Sequence, residues 1–438
     1  MNFLRFSVAC AAVGLAACGA GATDAGAPDA GGGDSSVAPP TGLCAATHAC
    51  TGDPAVRPYR RSEFAFAYDE AHHQLVVQGG STAVSVTCNF PTPELSDETW
   101  IYDDECGTWR VLAGGAGPGA RARHMAAYDA AGNRVLVFGG RFTTTGSGYT
   151  VFGDLWAFDL ATETWSLLAP EDPAGPVPRS SAAMAFDDAG GRLWLFGGNA
   201  STNGAAYAPL QDTWYFDVAT SAWVLVTAGA PDPAPAPRLL MASAFDQARG
   251  RFLVFGGTDD SAFSTNPANY NDLWAYDVAG GQWIGMAAGA MEPSARFMTG
   301  LVSDAASGTY LVFGGHDLTN LGYTNDLWRY DPDGAGWALV RVGDRYNNPP
   351  TGFCMFPVDY TTPDFAAPDR RSSHAMVMSA SCGHAIVFGG KTDCGAIDDT
   401  WSFDVASSTW VEMVAATEGE SCWRRWNGDF TLCNALCF

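Results

Sequence analysis

Val135-Leu136-Val137-Phe138-Gly139-Gly140 decides the fold, because the chain writes this phrase six times. The other copies end at Gly79-Gly80, Gly197-Gly198, Gly256-Gly257, Gly314-Gly315 and Gly389-Gly390. Phe precedes the pair in every copy but the first, which has Gln78. An apolar, β-branched run closed by two glycines reads as a buried strand. It stops where the backbone needs φ > 0, or where a neighbour lies too close for a Cβ.

Working outward, an arginine precedes each first glycine by 18 residues: Arg61, Arg121, Arg179, Arg238, Arg296 and Arg371. Downstream stand paired tryptophans nine apart: Trp100/Trp109, Trp156/Trp165, Trp214/Trp223, Trp274/Trp283, Trp328/Trp337 and Trp401/Trp410. Six copies at a period near 59 residues make one repeat architecture rather than six domains. Each copy supplies four strands. A follows the arginine, B ends at the glycines, and C and D carry the first and second tryptophan.

The di-glycine after an apolar strand, followed by a spaced aromatic pair, resembles the Kelch repeat of the galactose oxidase-like superfamily. The likeness covers residues 58 to 415 or so. It implies an all-β, six-bladed β-propeller of four-stranded blades, with the tryptophans packed between blades. Such closure protects most sheet edges.

Residues 1–17, with Arg5 and an apolar run through Leu15, read as a signal peptide. Leu15-Ala16-Ala17-Cys18 is similar to a bacterial lipobox, with Cys18 as the lipidated residue. Residues 18–40 are Gly, Ala, Asp, Ser and Pro and form a flexible, disordered tether. The propeller then occupies 41–438, and the expected location is the cell envelope, at the outer membrane or cell surface. The formal charge of −24 excludes a nucleic-acid partner and an anionic membrane surface. Membrane contact is expected only through the lipid, and a monomer is expected.

Twelve cysteines, less Cys10 in the signal and the lipidated Cys18, leave an even ten. They cluster at the two ends: Cys44, Cys50, Cys88 and Cys106, then Cys354, Cys382, Cys394, Cys422, Cys433 and Cys437. Export and the absence of Cys-x-x-Cys favour disulfides securing the seam between first and last blades. Cys106 in a C–D turn and Cys382 in an A–B turn belong to one face and form a candidate bridge.

The A–B and C–D segments never vary in length. From second glycine to first tryptophan the offset runs 20, 16, 16, 17, 13 and 11, and from second tryptophan to next arginine 12, 14, 15, 13 and 34. All variation falls on the B–C and D–A loops, which share one face in an antiparallel meander. Variable loops on a rigid scaffold carry binding, so the site belongs at the channel mouth on that face. The longest offset marks an insertion, about Gly343 to Asp369, whose aromatics and Cys354 suggest an ordered flap.

Candidate ligand-binding residues at the mouth are the six arginines together with His124, His316 and His374. Guanidinium groups hold carboxylate or sulfate bidentately. The alternative is that each arginine serves its own repeat by pairing with an acid or carbonyl. No catalytic set assembles, and no cofactor is implied. Acid-rich loops such as Asp259-Asp260 and Asn266 to Asp272 could coordinate Ca²⁺ but lack calcium-loop spacing. Copper is disfavoured, because the two Tyr, two His and Tyr–Cys crosslink of galactose oxidase match no set in this chain. The favoured function is a non-enzymatic binding module for a glycan or a protein. The alternative is a carbohydrate-active enzyme, a galactose oxidase-like oxidase or an acidic-sugar epimerase or lyase.

Overall fold

A computed structural model describes residues 42–83, 94–112, 117–144, 148–203, 206–229, 233–259, 267–317, 322–348, 361–392 and 395–417. The signal, the tether, Cys18, Cys88, Cys354, Cys394, Cys422, Cys433 and Cys437 lie outside the described residues. Among the described residues there is no helix, and six antiparallel sheets have four strands each. Among the described residues, therefore, no helix is long and apolar enough to cross a membrane.

The second repeat shows the pattern. Strand A is Met125–Asp129, B is Arg134–Phe138, C is Leu155–Asp159 and D is Thr164–Ala169, hydrogen-bonded in the order A-B-C-D. Side chains alternate along A, while B is buried on both faces after its first residue. That double burial is why B reads as a continuous apolar run. The A strands of the other five sheets are Ala65–Asp69, Ala183–Asp187, Ala242–Asp246, Gly300–Asp304 and Ala375–Ser379. Each packs beside the A strand of the next sheet, and the sixth packs beside the first, so the sheets close into a ring.

Aromatic packing joins neighbouring sheets. The Phe before each glycine pair meets the D-strand tryptophan of the following repeat. Phe138–Trp223 and Phe196–Trp283 have ring centroids 5.0 Å apart, Phe255–Trp337 5.3 Å and Phe313–Trp410 4.9 Å. Across the closure, Trp109 of the first sheet lies 4.4 Å from Phe388 of the sixth. Tilted contacts of this kind add about 0.5–1.5 kcal/mol each beyond burial.

The seam carries two disulfides, Cys44–Cys382 and Cys50–Cys106. They correct the expected Cys106–Cys382 bridge. One of those turns lies near the axis and the other near the rim, and the N-terminal segment spans between them. Cys44 N donates to Asp104 O at 3.2 Å, and Ser402 Oγ donates to Gly42 O at 2.9 Å. Cys44 and Cys50, in the N-terminal segment, are therefore bonded to cysteines of the invariant turns. Beneath Cys44, the buried Asp104 accepts from His384 Nε2 and from Tyr68 Oη, each at 2.8 Å.

Candidate binding site at the channel mouth

Three positions around the start of every A strand build the mouth, and they use their side chains differently. The first is the arginine. Each guanidinium ion-pairs with the acid two residues before its own C-strand tryptophan: Arg61–Glu98, Arg121–Asp154, Arg179–Asp212, Arg238–Asp272, Arg296–Asp326 and Arg371–Asp399, at 2.5–2.7 Å. The same acid accepts the indole N–H, as Asp212 does from Trp214 at 2.7 Å. Each arginine also donates to the carbonyl of its first glycine at 3.0–3.2 Å. The arginines are at most 2% exposed. Among the described residues each already has its anion, so the ring lies behind the mouth rather than facing it.

The arginine backbone explains the glycine pairs. The second glycine of each repeat donates to the arginine carbonyl of the next, from Gly80 to Arg121 and around to Gly390 to Arg61, at 2.8–2.9 Å. Gly139 has φ 68°, and a Cβ there would lie 2.4 Å from Arg179 O. Both reasons for glycine hold at once at this position.

Two residues after each arginine stands the rim: Glu63, Arg123, Ser181, Leu240, Met298 and Ser373. All six are left-handed, with φ between 52° and 60°. A non-glycine residue in that region costs about 1–2 kcal/mol. A ring of backbone hydrogen bonds offsets this: each rim N–H donates to the rim carbonyl of the preceding repeat at 2.7–2.9 Å. Glu63 N to Ser373 O, at 3.3 Å, completes the circle. Peptide geometry is thus identical around the rim while the side chains are not. They line a cavity of about 200 Å³ with Met184, Met241 and Met376 below.

At the third position, His124 and His374 occupy the channel wall, each 4% exposed. Burial first, and then Arg121 or Arg371, holds each imidazole down to about 3. His124 Nε2 pairs with Gln78 O at 3.1 Å, whereas neither nitrogen of His374 has a hydrogen-bond partner among the described residues. His316 follows its glycine pair and stacks on Phe297, 4.9 Å between centroids. Burial, then Lys391, lowers it to about 4. The three histidines are neutral at pH 7 and belong to different repeats.

A second cavity of about 120 Å³ adjoins the first through Glu63 and is lined by Arg141, Tyr149 and Lys391. Arg141 and Lys391 directly follow the glycine pairs of repeats two and six, flanking the repeat that carries Glu63. Glu63 Oε1 meets Arg123 Nη2 at 2.6 Å, and its Oε2 lies 3.8 Å from Arg141 Nη2. Burial pushes the Glu63 carboxyl up, but Arg123, Arg141 and Lys391 together pull it down to about 2. Glu63, Arg123, Arg141 and Lys391 were not among the site residues expected from the sequence. The signal was present: within the repeat register they break the pattern. The insertion begins as a hairpin, Arg345–Tyr346 paired with Thr361–Thr362, and Tyr346 Oη donates to Tyr323 O at 2.7 Å beside the mouth. Its tip, residues 349–360, is outside the described residues.

Four-stranded antiparallel sheets, closed through inner strands that each follow a braced D–A loop, define a Kelch-type β-propeller. The chain belongs to the KLHDC2/KLHL20/DRC7 Kelch-repeats domain family, whose model matches residues 41–223 and 131–362. It is 30% identical over 186 residues to Kelch domain-containing protein 1 of Homo sapiens, covering 42% of this chain and 41% of the relative. It is 27% identical to Homo sapiens host cell factor 1 over 52% of this chain and 11% of the relative. With N-(sulfonatooxy)prop-2-enimidothioate sulfolyase of Thlaspi arvense it is 25% identical, over 66% of this chain and 75% of the enzyme. The match thus spans less than half the length of the first two relatives.

Proposed function

We propose that the chain is a six-bladed propeller, carried on a Cys18 lipid anchor and a tether at the cell envelope, that binds a protein or glycan without transforming it. Recognition is assigned to the rim and the variable loops beside it, and the buried arginines are assigned to bracing. The observation that carries this reading is the mouth itself: a rim with one backbone geometry and five different residue types over six positions, opening on the face where the loop lengths vary. A scaffold needs the first property, and a specific binder needs the second. Membership of a Kelch-repeat family supports an interaction role.

The test places a photo-crosslinking residue at Ser181 on the rim or at Ala131 in an invariant turn. Envelope material should be captured from position 181 and not from 131. Equal capture, or none from 181, would remove the reading. Palmitate incorporation lost in Cys18→Ala tests the anchor. A lyase or oxidase working at the same mouth is the second reading, favoured by the sulfolyase among the relatives. A rise in melting temperature with Cu²⁺ or another redox metal would support it over the binder.

A further inference from the structure

We propose that Arg123, Arg141 and Lys391 form a binding site for a carboxylate-bearing ligand at the channel mouth. This rests on the reading of the mouth as a recognition surface and names the chemistry recognised.

Charge is the first argument. Three cations surround one carboxylate, Glu63, among the described residues. Arg123 and Arg141 are 12% and 10% exposed at their side chains. Burying cations without matching anions is costly. The chain is not short of acids, having 47 Asp and Glu against 23 Lys and Arg. Every bracing arginine received one of those acids, yet the mouth cations share one. An excess of positive charge in a strongly acidic protein marks a place left for an incoming anion.

Donor geometry is the second argument. Arg123 spends Nη2 on Glu63, and its Nη1 donates to the Tyr207 hydroxyl at 3.4 Å. Its buried Nε has no partner. The Arg141 guanidinium lies over the Tyr149 ring, 4.1 Å from its centroid, and reaches Glu63 only beyond hydrogen-bond distance. Its donors border the 120 Å³ cavity that Lys391 also lines. Lys391, the single lysine of the chain, is hydrogen-bonded to Tyr323. Its interaction with the Tyr323 hydroxyl, and then with the Glu63 carboxylate, raises it despite its burial. Glu63 shows which anion the donors suit, since it is a carboxylate held by a single guanidinium N–H, Arg123 Nη2. Arg141 and Lys391 are placed to hold a second beside it, with tyrosine hydroxyls able to satisfy its remaining lone pairs.

The shared chemistry is a carboxylate, which a free acidic sugar or an acidic side chain of a protein could supply. The experiment is calorimetry on the full chain with sodium glucuronate, with glucose at matched ionic strength, and with N-acetyl-glutamyl-glycinamide. Binding of glucuronate or of the peptide supports the proposal, and which one binds names the source. Either affinity should fall at least roughly tenfold in Arg141→Met and in Lys391→Met, and rise in Glu63→Gln, where a competing carboxylate is gone. A structural cluster would behave otherwise: Lys391→Met would melt lower without ligand and leave binding unchanged. The site predicts an unchanged or higher unliganded melting temperature.

Silence with both carboxylates, equal heat from glucose, or binding unaltered in both cation variants overturns the proposal. If the carboxylates fail while position 181 still captures envelope material, the carboxylate site falls and the interaction reading stands. If position 181 also captures nothing, both fall.

Discussion

Arg179 and Ser181 are two residues apart and obey opposite rules. At the arginine position all six repeats agree, the side chain is buried, and each guanidinium is committed to an acid and to a glycine carbonyl. At the rim position no residue type serves as a repeat unit: Glu, Arg, Ser, Leu, Met and Ser share only a left-handed backbone and a ring of peptide hydrogen bonds. The difference shows where identity is a structural requirement. The arginine must meet an acid and a carbonyl at fixed distances inside its own repeat. The rim side chains meet the cavity and one another, with no partner that recurs from repeat to repeat, so their chemistry is free to differ.

Four measurements would break or sharpen that contrast, and acid should have the largest effect. His124 and His374 lie between rim and strand with folded values near 3 against an ordinary 6.5. The unfolded state therefore binds more protons below pH 6.5. Stability is fully present above 6.5 and is lost as pH falls toward 3, at about 1.4 kcal/mol per pH unit for each histidine. Glu63, lowered to about 2, adds loss in the same direction below its ordinary 4.5. Denaturant melts from pH 7 to 4 should show this slope, which His374→Asn reduces. A flat profile would mean that the wall histidines are hydrated.

Next comes Arg179→Met, which strands Asp212 and the Gly197 carbonyl. It should cost about 3–5 kcal/mol in denaturant unfolding, as breaking one side of a buried ion pair does. A cost below 1 kcal/mol would abolish the distinction between brace and rim. Removing the seam bridge with Cys44→Ala and Cys382→Ala together should cost about 2–5 kcal/mol by releasing a 338-residue loop. Loss should be confined to oxidising conditions, and an equal melt under reducing conditions is the check. Smallest is Ser181→Ala on the rim, whose hydroxyl has no hydrogen-bond partner. It should move stability by no more than about 0.5 kcal/mol, and a larger loss would place the rim with the braces.

Much of the fold was legible because it is periodic. Apolar runs ending in Gly-Gly mark B strands, and tryptophan spacing marks C and D. The reason for each glycine was readable in kind, though the atom it makes room for, Arg179 O against Gly139, was not. Even the brace was half visible, since an acid stands two residues before each C-strand tryptophan at a fixed step. The seam was misread because cysteines were sorted by loop geometry. Where the N-terminal segment crosses is a long-range matter on which repeat spacing is silent.

The sequence by itself determined what recurs: six repeats, four strands in each, an invariant turn face and a variable one. Local register dictates these through backbone sterics and burial. Only the tertiary structure decided which nonrecurring residues meet. Arg123, Arg141, Lys391 and Glu63 come from three repeats and are separated by as many as 328 positions. They become neighbours only because the ring closes, bringing repeat six beside repeat one. No pairwise spacing in the chain encodes that contact. It arises from the sum of six inter-sheet rotations, and the mouth is where that sum is read.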